Sequence, residues 1–473
     1  MNLEEARKIV FDAKPRFGEL FDTYKDKAWA LYIKENYPTH FEAPKNFSEL
    51  KSVLENILSP LLGNEKAKHT IESLETKGFV SSADHTGLLC HPFFANSALI
   101  RKSLFPNDSV ICFTSGGISP TNSSLPRYVY FHDKNLEEVK IPLVSLHGRR
   151  RSVYGLPAFS EKRIRSIIDS IKNLHLSPHA ASRLEQFFCS VLKNDLVFKQ
   201  TKYSDQLIIL NDMFWEMLFG KTKSNLVYIE IERIVRDLLL SIHLDSESLV
   251  YKVLFDEKVR NAYLENFDGQ TGAHNLREET GTHLFWYIDE EEQTRVQLFL
   301  KENALQSKDG EIKIDLKPES LRKHLENYTL LPSMALCYSI ISFYYGITLG
   351  GGFGQIKYLG EIKDAWRKTA EVLNEEIIDT RSDIFSGGLV LTGISNRETI
   401  KPASLFDALI YTEDREGDHY VRQEFAEEKI QKAIEESKIG DTLDALLDDI
   451  VAIIEGEKPS IEDLKIHKTF LVN

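Results

Sequence analysis

The spacing of apolar residues changes character several times along the chain. In the opening stretch, "NLEEARKIVFDAKPRFGELFDTYKDKAWALYIKENY" sets Ile9, Phe17, Leu20, Phe21 and Tyr24 at helical intervals, with Pro15 as an interruption. Apolar positions recurring every three to four residues give a helix one continuous apolar face. "NFSELKSVLENILSPLL" repeats the pattern with Leu50, Val53, Leu54, Ile57 and Leu58, and Ser48 or Asn46 stands where a cap would accept from the first amides. "PFFANSALIRKSLF" reads as another helix, feeding directly into a change of pattern after Asn107-Asp108. There "SVICFTS" (109–115), "RYVYFH" (127–132) and "KIPLVSLH" (140–147) are short, apolar and β-branched or aromatic, and predict strands.

A helical block follows from Ser160, a cap for Arg163–Ile171, and helices with strand-like interruptions run to about residue 267. "THLFWYID" (282–289) and "TRVQLFLK" (294–301) then flank a charged turn, and Asp309-Gly310 marks a tight turn in "LQSKDGEIKIDL". Pro318 suits the first turn of a helix. "IKYLGEIKDAWRKTAEVLNEE" predicts a helix, and "GGLVLTGI" (387–394) a buried strand. Near the C-terminus, Ile439, Leu443, Leu446, Leu447, Ile450 and Ile454 form a stripe opposite Asp441, Asp444 and Asp448, as on a packing helix. Together these predict an α/β or α+β protein, with helices around a mixed or largely antiparallel sheet. No Pro/Ser-rich linker marks a boundary; 268–281 and 305–317 are the candidates, and the first divides the chain into 1–267 with the candidate site and 268–473 with hairpins, a Gly-rich loop and the last helix.

Thr329 to Ile356 contains no charged residue and is long enough to cross a bilayer. Pro332 near its start and the glycines in its second half argue instead for a buried helix from Ser333 to Tyr345 and then a Gly loop. No transmembrane segment is expected.

Composition narrows the function classes. Hydrophobic residues make up 42% and charged residues 27% of 473, which is ordinary for a globular protein. A formal charge of −14 argues against a nucleic-acid partner, because phosphate-backbone binders concentrate Lys and Arg. Cys90, Cys112, Cys189 and Cys337 lie far apart with no CxxC, so neither a disulfide framework nor a thiolate zinc site is expected. "MNLEEARKIVFDAKPRF" holds no apolar signal core. A soluble cytoplasmic protein fits both.

Two clusters carry candidate chemistry. If 109–114, 127–132 and 140–147 form an antiparallel meander, one sheet edge gathers "SGGISPTNSS" (115–124), Arg127, His147 and Arg149–Arg151. Ser115 and Asn122 supply polar groups, and Arg127, Arg149, Arg150 and Arg151 supply forks for a carboxylate or phosphate. His147 would supply a side chain of the type that exchanges a proton near neutral pH. Three consecutive arginines cannot all enter one pocket, and the same residues also suit a turn with a solvated face. His132 falls at the opposite edge.

The second cluster is "SSADHTGLLCHPFFANSALI" (81–100). His85 and His91 would share zinc or iron only if the intervening segment turns, as Gly87 permits, with Asp84 as a third ligand or orienting His85. The alternatives are metal-free acid/base work by Asp84, His85 and His91, or a structural loop. Cys90 beside His91 suggests a nucleophile, though unpaired cysteines are usually buried. The segment becomes a site only if it folds against the 115–127 edge.

"GITLGGGFGQIKYLGEIK" could bind an anion at a helix N-terminus, but lacks the Walker Lys-Ser/Thr and does not complete GxGxxG; close packing is the other explanation. His283 lies on a strand pattern and reads as structural. The leading expectation is an enzyme acting on a small anionic molecule: a hydrolase, a transferase or a metal-dependent oxidoreductase. The alternative is a non-catalytic ligand-binding or regulatory protein using the same arginines.

Overall fold

The computed structural model describes residues 2–122, 124–145, 151–221, 224–386, 393–395, 400–411, 420–421 and 434–454. At its centre lies a four-stranded sheet in the order Thr348–Gly350, Phe79–Ser81, Val110–Thr114, Leu226–Glu230. Every pairing is parallel, with Ser81 opposite Gly350 on one side and Cys112 on the other, and Thr114 opposite Glu230. All four strands are buried along their length. Continuous apolar runs such as "VICFT" form strands of this kind, because helices must cover both faces of a parallel sheet.

That burial overturns the expected meander. Val110–Thr114 pairs with Phe79–Ser81 and Leu226–Glu230, not with Tyr128–His132. Tyr128–His132 and Glu138–Pro142 form a separate hairpin, in register from Tyr128↔Pro142 to His132↔Glu138. "VICFT" has no polar alternation and needs cover on both faces, which one edge of a meander does not supply.

The remaining described strands pair antiparallel, so the fold is mixed helix and sheet with both sheet types. Phe285–Ile288 lies between Leu330–Pro332 and Arg295–Gln297. Ala304–Gln306 lies between Phe299–Lys301 and Lys313–Asp315, with Gly310 at φ 79° in the turn. Pro318 opens the helix Pro318–Glu326. The uncharged run folds as the strand Leu330–Pro332, the helix Met334–Tyr338, a π-helical turn Ser339–Tyr344 and the strand Thr348–Gly350. Among the described residues no helix is long and apolar enough to cross a membrane.

The core does not respect the suggested division at 267. Thr348–Gly350 completes a sheet whose other strands come from 79–230. The helix Glu257–Phe267 packs on Phe353–Glu371, and Leu3–Ala13 packs on Ile439–Ile454. On that last helix Ile439, Leu443, Leu447 and Ile450 are buried, as the stripe requires. Of the expected strand 387–394, residues 387–392 lie outside the described residues; Gly393–Ser395 pairs with Ile400–Pro402 and Tyr420–Val421.

Candidate functional site

In a parallel sheet the loops leaving the strands' carboxyl ends converge on one edge, where ligands of open α/β sheets bind. Here Ser82–His85, Ser115–Gly117, Ile231–Glu232 and Gly351–Gly352 leave the four strands at that edge. The first two loops touch. Ser115 N donates to Asp84 O at 3.1 Å, and Thr86 N to Ser115 O at 2.8 Å. The Asp84-His85 segment therefore does fold against the loop that starts at Ser115.

Its side chains are committed locally. The Ser124 hydroxyl donates to Asn122 Oδ1 at 3.0 Å and lies 2.7 Å from His85 Nδ1, which places the proton on Nδ1. Asn122 Oδ1 also accepts from Ser124 N, so Asn122 shapes the loop. Burial pushes His85 down to about 4 and His91 to about 3, leaving both imidazoles neutral. Their rings flank Phe94, with centroids 5.9 and 4.9 Å away. Burial also drives Asp84 well above the usual carboxylate range, although His85 N donates to it at 2.6 Å. Zinc or iron on His85 and His91 would need a third ligand; among the described residues no three His, Cys, Asp or Glu side chains are grouped to hold a metal. Cys90 is buried, donates to Tyr128 O at 3.6 Å, and is pushed up to about 12, so it is a thiol and not a ready nucleophile.

The arginines separate. Arg127 is buried, stacks 4.5 Å over the Tyr128 ring, and donates to the Tyr128 hydroxyl. It does not line the cavity at the strand ends. Arg151 lies 3.7 Å from the exposed Glu292 in a surface ion pair. His147, Arg149 and Arg150 lie outside the described residues. The Gly-rich loop is a packing junction. A Cβ at Gly350 would stand 2.6 Å from Phe79 Cζ, one at Gly351 would stand 2.1 Å from Gln355 Cδ, and Gln355 Nε2 donates to Ser82 Oγ at 2.8 Å. His283 Nδ1 accepts from Leu300 N at 2.8 Å, a structural role.

Apart from Ser115 and Asp84, the groups that converge on the strand ends are ones the sequence did not single out. Glu232, in the first turn of the helix Ile231–Leu238, accepts from Gly116 N and Gly117 N, each at 2.9 Å, and from Ser115 Oγ at 3.2 Å. Successive amides aimed at one point form an anion nest, filled here by the chain's own carboxylate. Glu230, at the end of its strand, is 1% exposed, and neither carboxyl oxygen has a hydrogen-bond partner. Gly116 makes room for it: a Cβ there would stand 1.7 Å from Glu230 Oε1. Burial raises both carboxyls, repulsion from Glu232 adds to the rise at Glu230, and the donors around Glu232 oppose its own. The negative charge therefore rests on Glu232 and the proton on Glu230.

Arg295 completes the site. Its Nη1 donates to Gly117 O, its guanidinium lies 5.3 Å from the Trp286 ring centroid, and its buried Nε has no partner. No carboxylate among the described residues lies within ion-pair distance of it. Ser115, Gly117, Glu232, Trp286, Arg295 and Met334 line a cavity of about 420 Å³. A second hollow of about 450 Å³ lies between Leu143–Ser145 and Pro157–Arg163, and its Arg163 is committed to Pro142 O at 2.9 Å. The available signal for the first site was "YIEIER", two acids closing an apolar run. No protein-family model matches the chain, and no curated protein matches its sequence.

Proposed function

We propose that the protein is an enzyme that holds a small anionic molecule on Arg295 and uses the Glu230–Glu232 pair for proton transfer. The observation that carries this is the Arg295 guanidinium, drawn largely out of water on a cavity wall and, among the described residues, in ion-pair contact with no carboxylate. An unpaired, partly buried charge is costly, so such a group persists where an anion compensates it. Burial lowers the affinity of Arg295 for its proton, and Glu232 offsets this only in part. A cavity of about 420 Å³ falls within the range of small-molecule sites. The ionised Glu232 stands on the cavity wall as a proton acceptor, and the neutral Glu230, which does not line the cavity, holds the proton beside it, the division of labour that acid–base catalysis needs. Asp84, a second carboxyl that burial drives well above its usual range, stands at the same edge.

Charge-assisted contacts are worth roughly 1.5–3 kcal/mol, so Arg295→Ala should weaken the anion by about ten- to a hundredfold. Arg295→Lys should recover only part, because the planar fork is lost. Titration calorimetry with small phosphates and carboxylates tests this; equal affinities in the wild type and both variants would remove Arg295 from the site. Ligand binding without catalysis is the second reading, favoured by the three internal donors that already hold Glu232. Turnover abolished by Glu230→Gln with binding intact would decide for the enzyme.

A further inference from the structure

We infer that the molecule taken into this cavity is a zwitterion of the α-amino acid class, its carboxylate on Arg295 and its ammonium on Glu232. This deepens the anion reading and rests on it. The two charged groups are not paired with each other. They are joined through one residue, Gly117, whose N–H donates to Glu232 Oε1 at 2.9 Å and whose carbonyl accepts from Arg295 Nη1. Gly117 thus presents an N–Cα–C–O skeleton to a carboxylate at one end and a guanidinium at the other. An α-amino acid has the same skeleton, with the same short reach between nitrogen and oxygen. The separation that suits Gly117 therefore suits a ligand lying alongside it.

Both groups have capacity left. An ionised carboxylate offers about four acceptor positions, and Glu232 uses three, on Gly116 N, Gly117 N and Ser115 Oγ. A guanidinium offers five N–H donors, and Arg295 donates to Gly117 O with its Nε unused. The remaining walls sort by chemistry. Trp286, Leu331 and Met334 give an apolar side for a ligand side chain, and Glu278 adds a second carboxylate to the lining. A simple carboxylate or phosphate would satisfy Arg295 but would set its charge against Glu232. A ligand carrying an adjacent ammonium satisfies both.

The test uses the full-length protein and three matched probe sets: L-leucine and L-phenylalanine, the corresponding acids lacking the amine, and the corresponding amines lacking the carboxylate. Binding is read by titration calorimetry, and by fluorescence, because Trp286 lies on the cavity wall whereas Trp29, Trp215 and Trp366 are fully buried. At least one amino acid should bind roughly tenfold or more tighter than its acid and its amine. Glu232→Gln, which keeps an acceptor for the glycine amides, should remove that preference by weakening the amino acid, while the acid, relieved of the Glu232 charge, should bind at least as tightly as to the wild type. If acid and amino acid bind equally and Arg295→Ala weakens both, the zwitterion inference falls while the anion reading stands. If no probe binds in a way that Arg295→Ala changes, both fall. Should Glu232→Gln fail to fold, the ranking of the three probe sets on the wild-type protein decides the matter.

Discussion

A methyl group at position 116 would stand 1.7 Å from Glu230 Oε1, inside any allowed contact. Gly116→Ala should therefore destabilise the protein by about 1–3 kcal/mol or more, the cost of forced overpacking. Glu230→Ala in the same chain should restore much of the loss by vacating the space; urea unfolding of both variants checks this. Glu230 also leaves a pH signature. Its folded-state affinity for a proton is raised by burial and by Glu232. The native state then holds a proton that the unfolded chain releases, so Glu230 costs stability as pH rises above the ordinary carboxyl value, about 4.3. Glu230→Gln should be more stable than the wild type at pH 8, and the gap should close toward pH 4. A gap that does not change with pH would place the charge elsewhere. None of this was legible from residue types alone. His85, His91 and Cys90 attract notice because such residues so often do chemistry, yet burial holds the imidazoles neutral and the thiol protonated. Two glutamates two positions apart look ordinary until the strand end sets them under a glycine loop distant in sequence.

Elements were legible where local pattern and tertiary demand agree. "PFFANSALIRKSL" is the helix Pro92–Leu104, and Asp309-Gly310 turns between paired strands, because spacing and turn chemistry act within a few residues. Partner choice was not legible. "SVICFTS" and "RYVYFH" are both strands, but whether they pair depends on which surfaces remain to be covered. The hairpin at Tyr128–His132 finds its cover in the helix Leu405–Tyr411, far along the chain. Asp407 pins it: one oxygen accepts from His132 N at 2.6 Å, and the other from Ser404 N and, at 2.8 Å, from His132 Nδ1. Both side chains are almost wholly buried. Removing one partner of a buried pair typically costs about 3–5 kcal/mol, so Asp407→Ala should destabilise the protein on that scale in chemical denaturation. Burial opposes charge on His132, and Asp407 outweighs it, so the imidazole's pKa is raised. The pair's contribution should be full below the ordinary imidazole value, about 6.5, and lost as pH climbs through the raised one. Loss of stability on acidification within that window, traced to His132, would contradict this.

At the scale of the whole molecule, the decisive feature is that one sheet is assembled from both ends of the suggested division at 267. The strand Thr348–Gly350 is the edge partner of Phe79–Ser81, and the helix Phe353–Glu371 follows it back along the fold. Ile347, Leu349, Leu359, Ile362 and Trp366 are each 0% exposed. Full burial of one large apolar side chain is worth roughly 1.5–3 kcal/mol, whereas the net stability of a whole domain is about 5–15 kcal/mol. A chain ending at 267 would forfeit these five contributions and expose the apolar surfaces they cover. It would also lose the strand Arg295–Gln297, and with it Arg295. Residues 1–267 produced alone should therefore show no cooperative urea transition. Co-production with residues 268–473 should restore the transition, and with it anion binding that Arg295→Ala weakens. Cooperative unfolding of 1–267 by itself, with slow hydrogen exchange at Val110–Thr114, would mean that the first three strands form an independent unit and that the fourth is an accessory to it.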